Sequence, residues 1–145
     1  MKVLNFIILF IILIPAVSHA RDLIIRDSRY SIVARIESGG TIRDPRYSTM
    51  GYIQPDGSIM NSNYSKIGVI EKDGTVRSGN YSKIGRIEND GVLRDGRYFK
   101  IGAIRQDGTI ENSRYSTVGH VEGFWGNYSS VAAYIFFFNP QILGR

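Results

Sequence analysis

An all-β fold, built as a pseudo-symmetric closed ring of short β-hairpins with a C-terminal apolar helix packed on the ring, is what this sequence predicts. Three observations carry the prediction. Tyr30, Tyr47, Tyr64, Tyr81, Tyr98 and Tyr115 recur every 17 residues, each opening nearly the same pattern of apolar residues and turns. A glycine turn falls inside each complete copy, as Gly39-Gly40 in the first and then as Asp56-Gly57, Asp73-Gly74, Asp90-Gly91 and Asp107-Gly108. The two ends of the repeat region are complementary halves of one copy: Ile25 to Arg29 matches the second half, as in Ile42 to Arg46, and Tyr115 to Glu122 supplies a first half.

The chain opens on Met1 to Ala20, which reads as a secretory signal peptide: Lys2 is a minimal basic start, Val3 to Ile14 is almost unbroken apolar sequence, and Ser18-His19-Ala20 is a small-x-small cleavage site. The apolar run is shorter than the roughly 20 residues that span a bilayer, and Pro15 interrupts its end. A periplasmic or extracellular location follows. The sequence has no cysteine, so no disulfide staples the exported domain and stability must come from packing and strand pairing. Residues 21–122 form the hairpin repeat domain, and 123–145 form a tail packed on the same domain.

Without Lys2 the chain carries 17 Lys and Arg against 13 Asp and Glu, mostly alternating in sign through the repeats. A nucleic-acid binder usually concentrates its basic residues on one face or carries a known reading module, so nucleic acid is not an expected partner. Anionic surface polysaccharide or lipid remains open.

Each copy, as in Tyr64 to Asn80, reads as a longer β-prone segment, an Asp-Gly turn, a shorter β-prone segment and a second turn at Ser78-Gly79. Asp-Gly favours a tight hairpin because glycine admits positive φ and aspartate caps its own turn. A calcium loop would need a denser acidic series, so no metal is expected there.

Three apolar positions accompany the tyrosine, exemplified by Ile67, Ile70 and Val76, and their β-branched bias argues for strands. The first two are three apart, which strict alternation would send to opposite faces. A bulge or sharp twist at the small residue between them, Ala34 or Gly51, Gly68, Gly85, Gly102 and Gly119, resolves the conflict. Pairing the complementary halves closes the ring and hides its edge strands; an open β-solenoid is the competing geometry.

The period breaks at Gly123-Phe124-Trp125. From Tyr128 to Phe138 the tail is long enough for three helical turns, with Asn127 as a cap and Asn139-Pro140 as a stop, and a buried final strand is the alternative. A helix of this composition would be buried almost all round and could plug one end of the ring.

The repeated pattern Tyr-Ser-Lys-Ile-Gly-x-Ile-Glu-x-Asp-Gly-x-Val-Arg, as at Tyr64 to Arg77, resembles the 5-fold β-flower proteins, a group of exported bacterial proteins. The resemblance covers about Asp22 to Glu122. It implies hairpins as petals around a pseudo-symmetric centre, and it brings no catalytic pattern to map. The tyrosine count gives six petals where the group's name suggests five.

Chemistry has few anchors. His120 is the one histidine beyond the signal, and it occupies a variable repeat position. Glu37, Glu71, Glu88 and Glu122 share one repeat position and could bring carboxylates together for glycoside hydrolysis, but nothing makes one acid differ from another as unequal acid and base roles require. The candidate ligand surface is instead Tyr47, Tyr64, Tyr81 and Tyr98 as aromatic sugar platforms, with Lys66, Lys83, Arg97 and Arg114 for polar or anionic groups. Gap-filling by the same rings is the alternative. The expected function is a secreted, non-enzymatic β-repeat scaffold or interaction module for carbohydrate or an envelope protein, with no cofactor; a small glycan hydrolase using the repeated glutamates is the competing function.

Overall fold

The computed structural model describes residues 21–144, so the expected signal peptide lies outside the described residues. Twelve short strands run in sequence order: β1 (Leu23–Asp27), β2 (Ile32–Ile36), β3 (Thr41–Arg43), β4 (Thr49–Ile53), β5 (Ser58–Asn61), β6 (Lys66–Ile70), β7 (Thr75–Ser78), β8 (Lys83–Ile87), β9 (Val92–Asp95), β10 (Lys100–Ile104), β11 (Thr109–Asn112) and β12 (Thr117–Glu122). Every strand pairs antiparallel with its sequence neighbours, and β1 pairs with β12 to close a barrel. The complementary halves do meet: Ile24, Ile25, Arg26 and Asp27 lie opposite Glu122, Val121, His120 and Gly119. Closure leaves no edge strand, which removes the open solenoid from consideration.

The barrel has two unlike ends. Six turns carrying the repeat tyrosines line one end. Five glycine turns line the other, and the sixth place there is taken by the two ends of the repeat region. The ring therefore contains six hairpins.

Spacing three apart is accommodated by a bulge. Ile42 pairs with Gly51 and Arg43 with Thr49, which leaves Met50 as the extra residue. The same slip recurs at every tyrosine-turn pairing, with Val33, Ile67, Ile84, Ile101 and Val118 as the extra residues. One inserted residue restores phase, so the first and second apolar positions of each copy both pack against the core. The third position is deepest: Ile42, Ile59, Val76, Leu93 and Ile110 are fully buried, as is Ile25 in the hairpin made from the chain ends.

An eight-stranded barrel is just filled by its own side chains, and twelve strands leave room for more. Helix α1 (Tyr128–Phe137) fills that room, with Val131, Ala132, Ala133, Tyr134 and Ile135 buried. Its ten residues make a rod of about 15 Å, comparable with the height of the five-residue strands. Asn127 occupies the N-cap position without a side-chain cap bond. A 3-10 turn, Pro140–Leu143, follows the helix where the sequence offered its stop.

Glycine between the first two apolar positions has a second purpose. A Cβ built at Gly85 would lie 2.4 Å from the Phe136 ring, at Gly68 2.2 Å from Phe137, and at Gly51 2.5 Å from Phe138. Leu143 lies against Gly102 in the same way, at 2.9 Å. Successive tail side chains thus occupy the notches that successive repeats leave empty. Tyr128 packs on the glycine turn at Gly91, so the helix enters from the glycine end and its aromatic terminus reaches the level of the bulges.

Candidate ligand surface at the tyrosine end

Both kinds of turn share one geometry with different residues. In the glycine turn, Glu71 N–H donates to Thr75 O and Gly74 N–H to Glu71 O, and Gly74 has φ 88°. In the tyrosine turn, Asp95 N–H donates to Phe99 O and Tyr98 N–H to Asp95 O, and Tyr98 has φ 74°. All six repeat tyrosines sit in this left-handed region, with φ between 60° and 74°. Glycine adopts it freely, whereas a bulky L-residue there is strained. The expected second turn at Ser78-Gly79 is present, but the left-handed place belongs to Tyr81 and not to Gly79.

Two devices hold the strained turn. A small polar residue three before the tyrosine caps the loop: Asp27 Oδ1 accepts the N–H groups of Arg29 and Ser31, and Asp44, Asn61, Asp95 and Asn112 do the same in their own turns. An arginine four before the tyrosine then donates to its carbonyl oxygen: Arg26 to Tyr30 at 2.9 Å, Arg94 to Tyr98 at 3.2 Å, and Arg43 and Arg77 to Tyr47 and Tyr81 at 3.3 Å.

These arginines also account for the repeated glutamates. Arg26, Arg43, Arg77 and Arg94 pair with Glu122, Glu37, Glu71 and Glu88. The hydrogen bond that each donates to its glutamate is the leading reason the pKa values of the Arg43 and Arg94 guanidinium groups are raised above their ordinary value. The fifth complete hairpin reverses the pair, with Arg105 bonded to Glu111 at 2.7 Å, and the second replaces it with neutral Gln54 and Met60. Each repeated glutamate is thus bound to an arginine, which gives no two carboxylates the unequal environments that acid and base need. Glu37 lines a cleft of about 300 Å³ at the glycine end, between Gly39, Pro55 and Ser130. Among the described residues no cluster of three or more His, Cys, Asp or Glu could hold a metal ion. His120 lies with its ring 4.7 Å from that of Tyr30, and so belongs to the outer wall.

The tyrosines are between 51% and 65% exposed. Their rings lie against the outer wall of the barrel. Lys66 is 5.9 Å from the Tyr81 ring, Lys83 is 5.2 Å from Tyr98, and Lys100 is 4.0 Å from Tyr115. Each lysine comes from the repeat before the tyrosine it meets. Arg35 lies 4.4 Å from the Tyr47 ring, and Tyr64 stacks on Tyr52 at 4.3 Å. The Tyr64 side chain beside it is the main reason the Tyr52 phenol is held above its ordinary value.

Among the expected ligand residues, Lys66 and Lys83 therefore join Tyr81 and Tyr98, while Arg97 and Arg114 are exposed in the turns immediately before Tyr98 and Tyr115. Tyr30, Tyr115 and Lys100 complete the ring and were legible from the same period. The left-handed tyrosine was not read, although the recurring Asp, Asn or Ser three residues earlier marks a capped turn ending there.

A family described as 5-fold beta-flower protein matches residues 22–139. The chain belongs to that family. This β-flower protein is a scaffold of repeated β-hairpins, and the match runs through the helix as well as the petals. Its six tyrosine turns lie opposite five glycine turns, so the count depends on which end of the flower is read. No curated protein and no solved structure matches the chain. Among the described residues no helix is long and apolar enough to cross a membrane. The strands, three to six residues long, fall short of the roughly nine to eleven that a membrane-spanning strand takes.

Proposed function

We propose that this β-flower protein is a secreted, non-enzymatic interaction module that binds carbohydrate through the tyrosine end of its barrel. The observation that carries the reading is the set of six tyrosines at positive φ. A non-glycine residue in that region costs on the order of 1 kcal/mol. The rings are mostly exposed, so the core gains little from them, and a cation over an exposed ring returns about 0.5–1 kcal/mol. Glycine serves the equivalent turn at the other end, so an exposed aromatic ring is the feature kept in spite of strain. Aromatic faces flanked by hydrogen-bonding cations suit sugar rings, which stack through C–H groups and offer hydroxyls at their edges.

Export through the signal at 1–20 places residues 21–122, the hairpin barrel, and 123–145, its tail, in the periplasm or outside the cell. The testing experiment is quantitative binding of mature protein, Arg21 to Arg145, to a broad panel of envelope and host-surface glycans. Saturable binding without turnover, weakened by Tyr81→Gly and Tyr98→Gly, is expected. Product formation abolished by Glu88→Gln alone would replace this reading with a hydrolase.

A further inference from the structure

Charge is sorted along the barrel axis among the described residues. The exposed carboxylates, Asp22, Asp56, Asp73, Asp90, Asp107 and Glu122, all lie at the glycine end, where Arg21, Lys72 and Arg105 are the exposed cations. Six exposed cations, Arg29, Arg46, Lys66, Lys83, Arg97 and Arg114, lie at the tyrosine end. Asp27, Asp44 and Asp95 are also at that end, but they are half-buried; turn N–H groups bind carboxylates at both ends. The tyrosine end therefore presents cations interleaved with aromatic rings, with no exposed acid among the described residues.

We infer that the ligand of this end is an anionic polysaccharide, carrying carboxylates or sulfates along its length. The inference rests on the carbohydrate reading above and narrows it. Successive tyrosines are two strands apart, about 10 Å across the sheet. That is close to the length of two sugar rings in an extended chain, so a polymer running round the rim meets a tyrosine and an exposed cation again at each hairpin. Linked weak contacts of this kind add through effective concentration. The acidic far end orients a polyanion toward the basic one.

An anionic membrane offers similar charge but needs apolar groups to enter it. Phe99 is the one wholly apolar exposed large ring at this end among the described residues, and the Tyr47, Tyr81, Tyr98 and Tyr115 rings lie against Arg35, Lys66, Lys83 and Lys100 of the wall.

The test is binding of the purified protein to polygalacturonate and heparin, each beside its uncharged counterpart, to a neutral glycan panel, and to phosphatidylglycerol vesicles. Saturable binding to an acidic polymer is expected, weaker by about tenfold or more on the uncharged counterpart and on raising salt from about 50 to 300 mM. The variant Lys66→Gln/Lys83→Gln/Arg97→Gln/Arg114→Gln should lose about tenfold in affinity with unchanged thermal unfolding, while Arg21→Gln/Lys72→Gln should change it by less than about twofold. Equal binding to charged and uncharged polymers, or binding to the neutral panel alone, would overturn the anionic inference and leave the carbohydrate reading standing. Binding to no glycan would overturn both, and preference for vesicles would assign the end to a membrane surface.

Discussion

Tyr81 and Gly74 occupy equivalent places in two turns of the same geometry, yet they should respond in opposite ways to substitution. Tyr81→Gly relieves a strained φ and loses cation contacts while adding chain entropy to the unfolded state, so stability should stay within about 0.5 kcal/mol of the parent in denaturant titrations. Gly74→Ala places a Cβ about 2.0 Å from Ile87 O at a φ of 88°, and should cost more than about 2 kcal/mol. The aspartate next to that glycine predicts a pH dependence. Backbone N–H groups of Ser58, Thr75 and Thr109, followed by their hydroxyls, hold Asp56, Asp73 and Asp107 below the ordinary value of 3.8. A folded pKa below the unfolded one stabilises fully above the unfolded value and loses that stabilisation as pH falls through the folded one. Thermal midpoints should therefore drop as the solution is taken below about pH 3.8, and Asp73→Asn, which keeps an acceptor, should make the drop shallower.

Helix α1 and the residues after it are matched to the strands around them, with Phe136, Phe137, Phe138 and Leu143 each against one repeat glycine. Phe137→Ala leaves the notch at Gly68 empty and should cost about 2–4 kcal/mol by thermal or chemical unfolding. Gly68→Ala should cost at least as much, and combining the two should recover only part of the loss, because Arg77 O remains 2.6 Å from the added Cβ. Hairpin ion pairs carry less. Arg105 and Glu111 stand in reverse order to the other pairs, and the exchanged variant Arg105→Glu/Glu111→Arg restores the common order. It should unfold within about 0.5 kcal/mol of the parent, since an ion pair this exposed contributes at most about 1 kcal/mol in either direction.

For the whole molecule, closure and filling depend on one another. Twelve strands bent into a barrel expose an apolar lining unless α1 occupies it, and α1 is apolar on every side and would not stay in water by itself. Removing residues 123–145 should abolish cooperative unfolding and leave a chain that binds hydrophobic dye, as measured by calorimetry and fluorescence. Removing 21–27 should instead open the β1–β12 seam and expose two edges, giving concentration-dependent oligomers in sedimentation.

What sequence by itself determined was the local and periodic part: hairpins from Asp-Gly turns, a bulge from apolar residues three apart around a small one, and closure from two complementary half-copies. Each follows from backbone geometry repeated at a fixed interval, so one copy explains the rest. The period also reached the candidate surface, because a tyrosine at each start places a ring at each turn. The tertiary structure alone decided that the tail fills the interior, because a barrel's free volume depends on strand number and curvature and not on any local pattern. The left-handed place of the tyrosine is local too, held by a cap and an arginine brace three and four residues earlier, but only the structure showed that the tyrosine, and not Gly79 or Gly96, takes it. Charges that alternate along the chain fold into an axis with a basic and an acidic end, because a hairpin returns its two kinds of turn to opposite ends of the barrel every time.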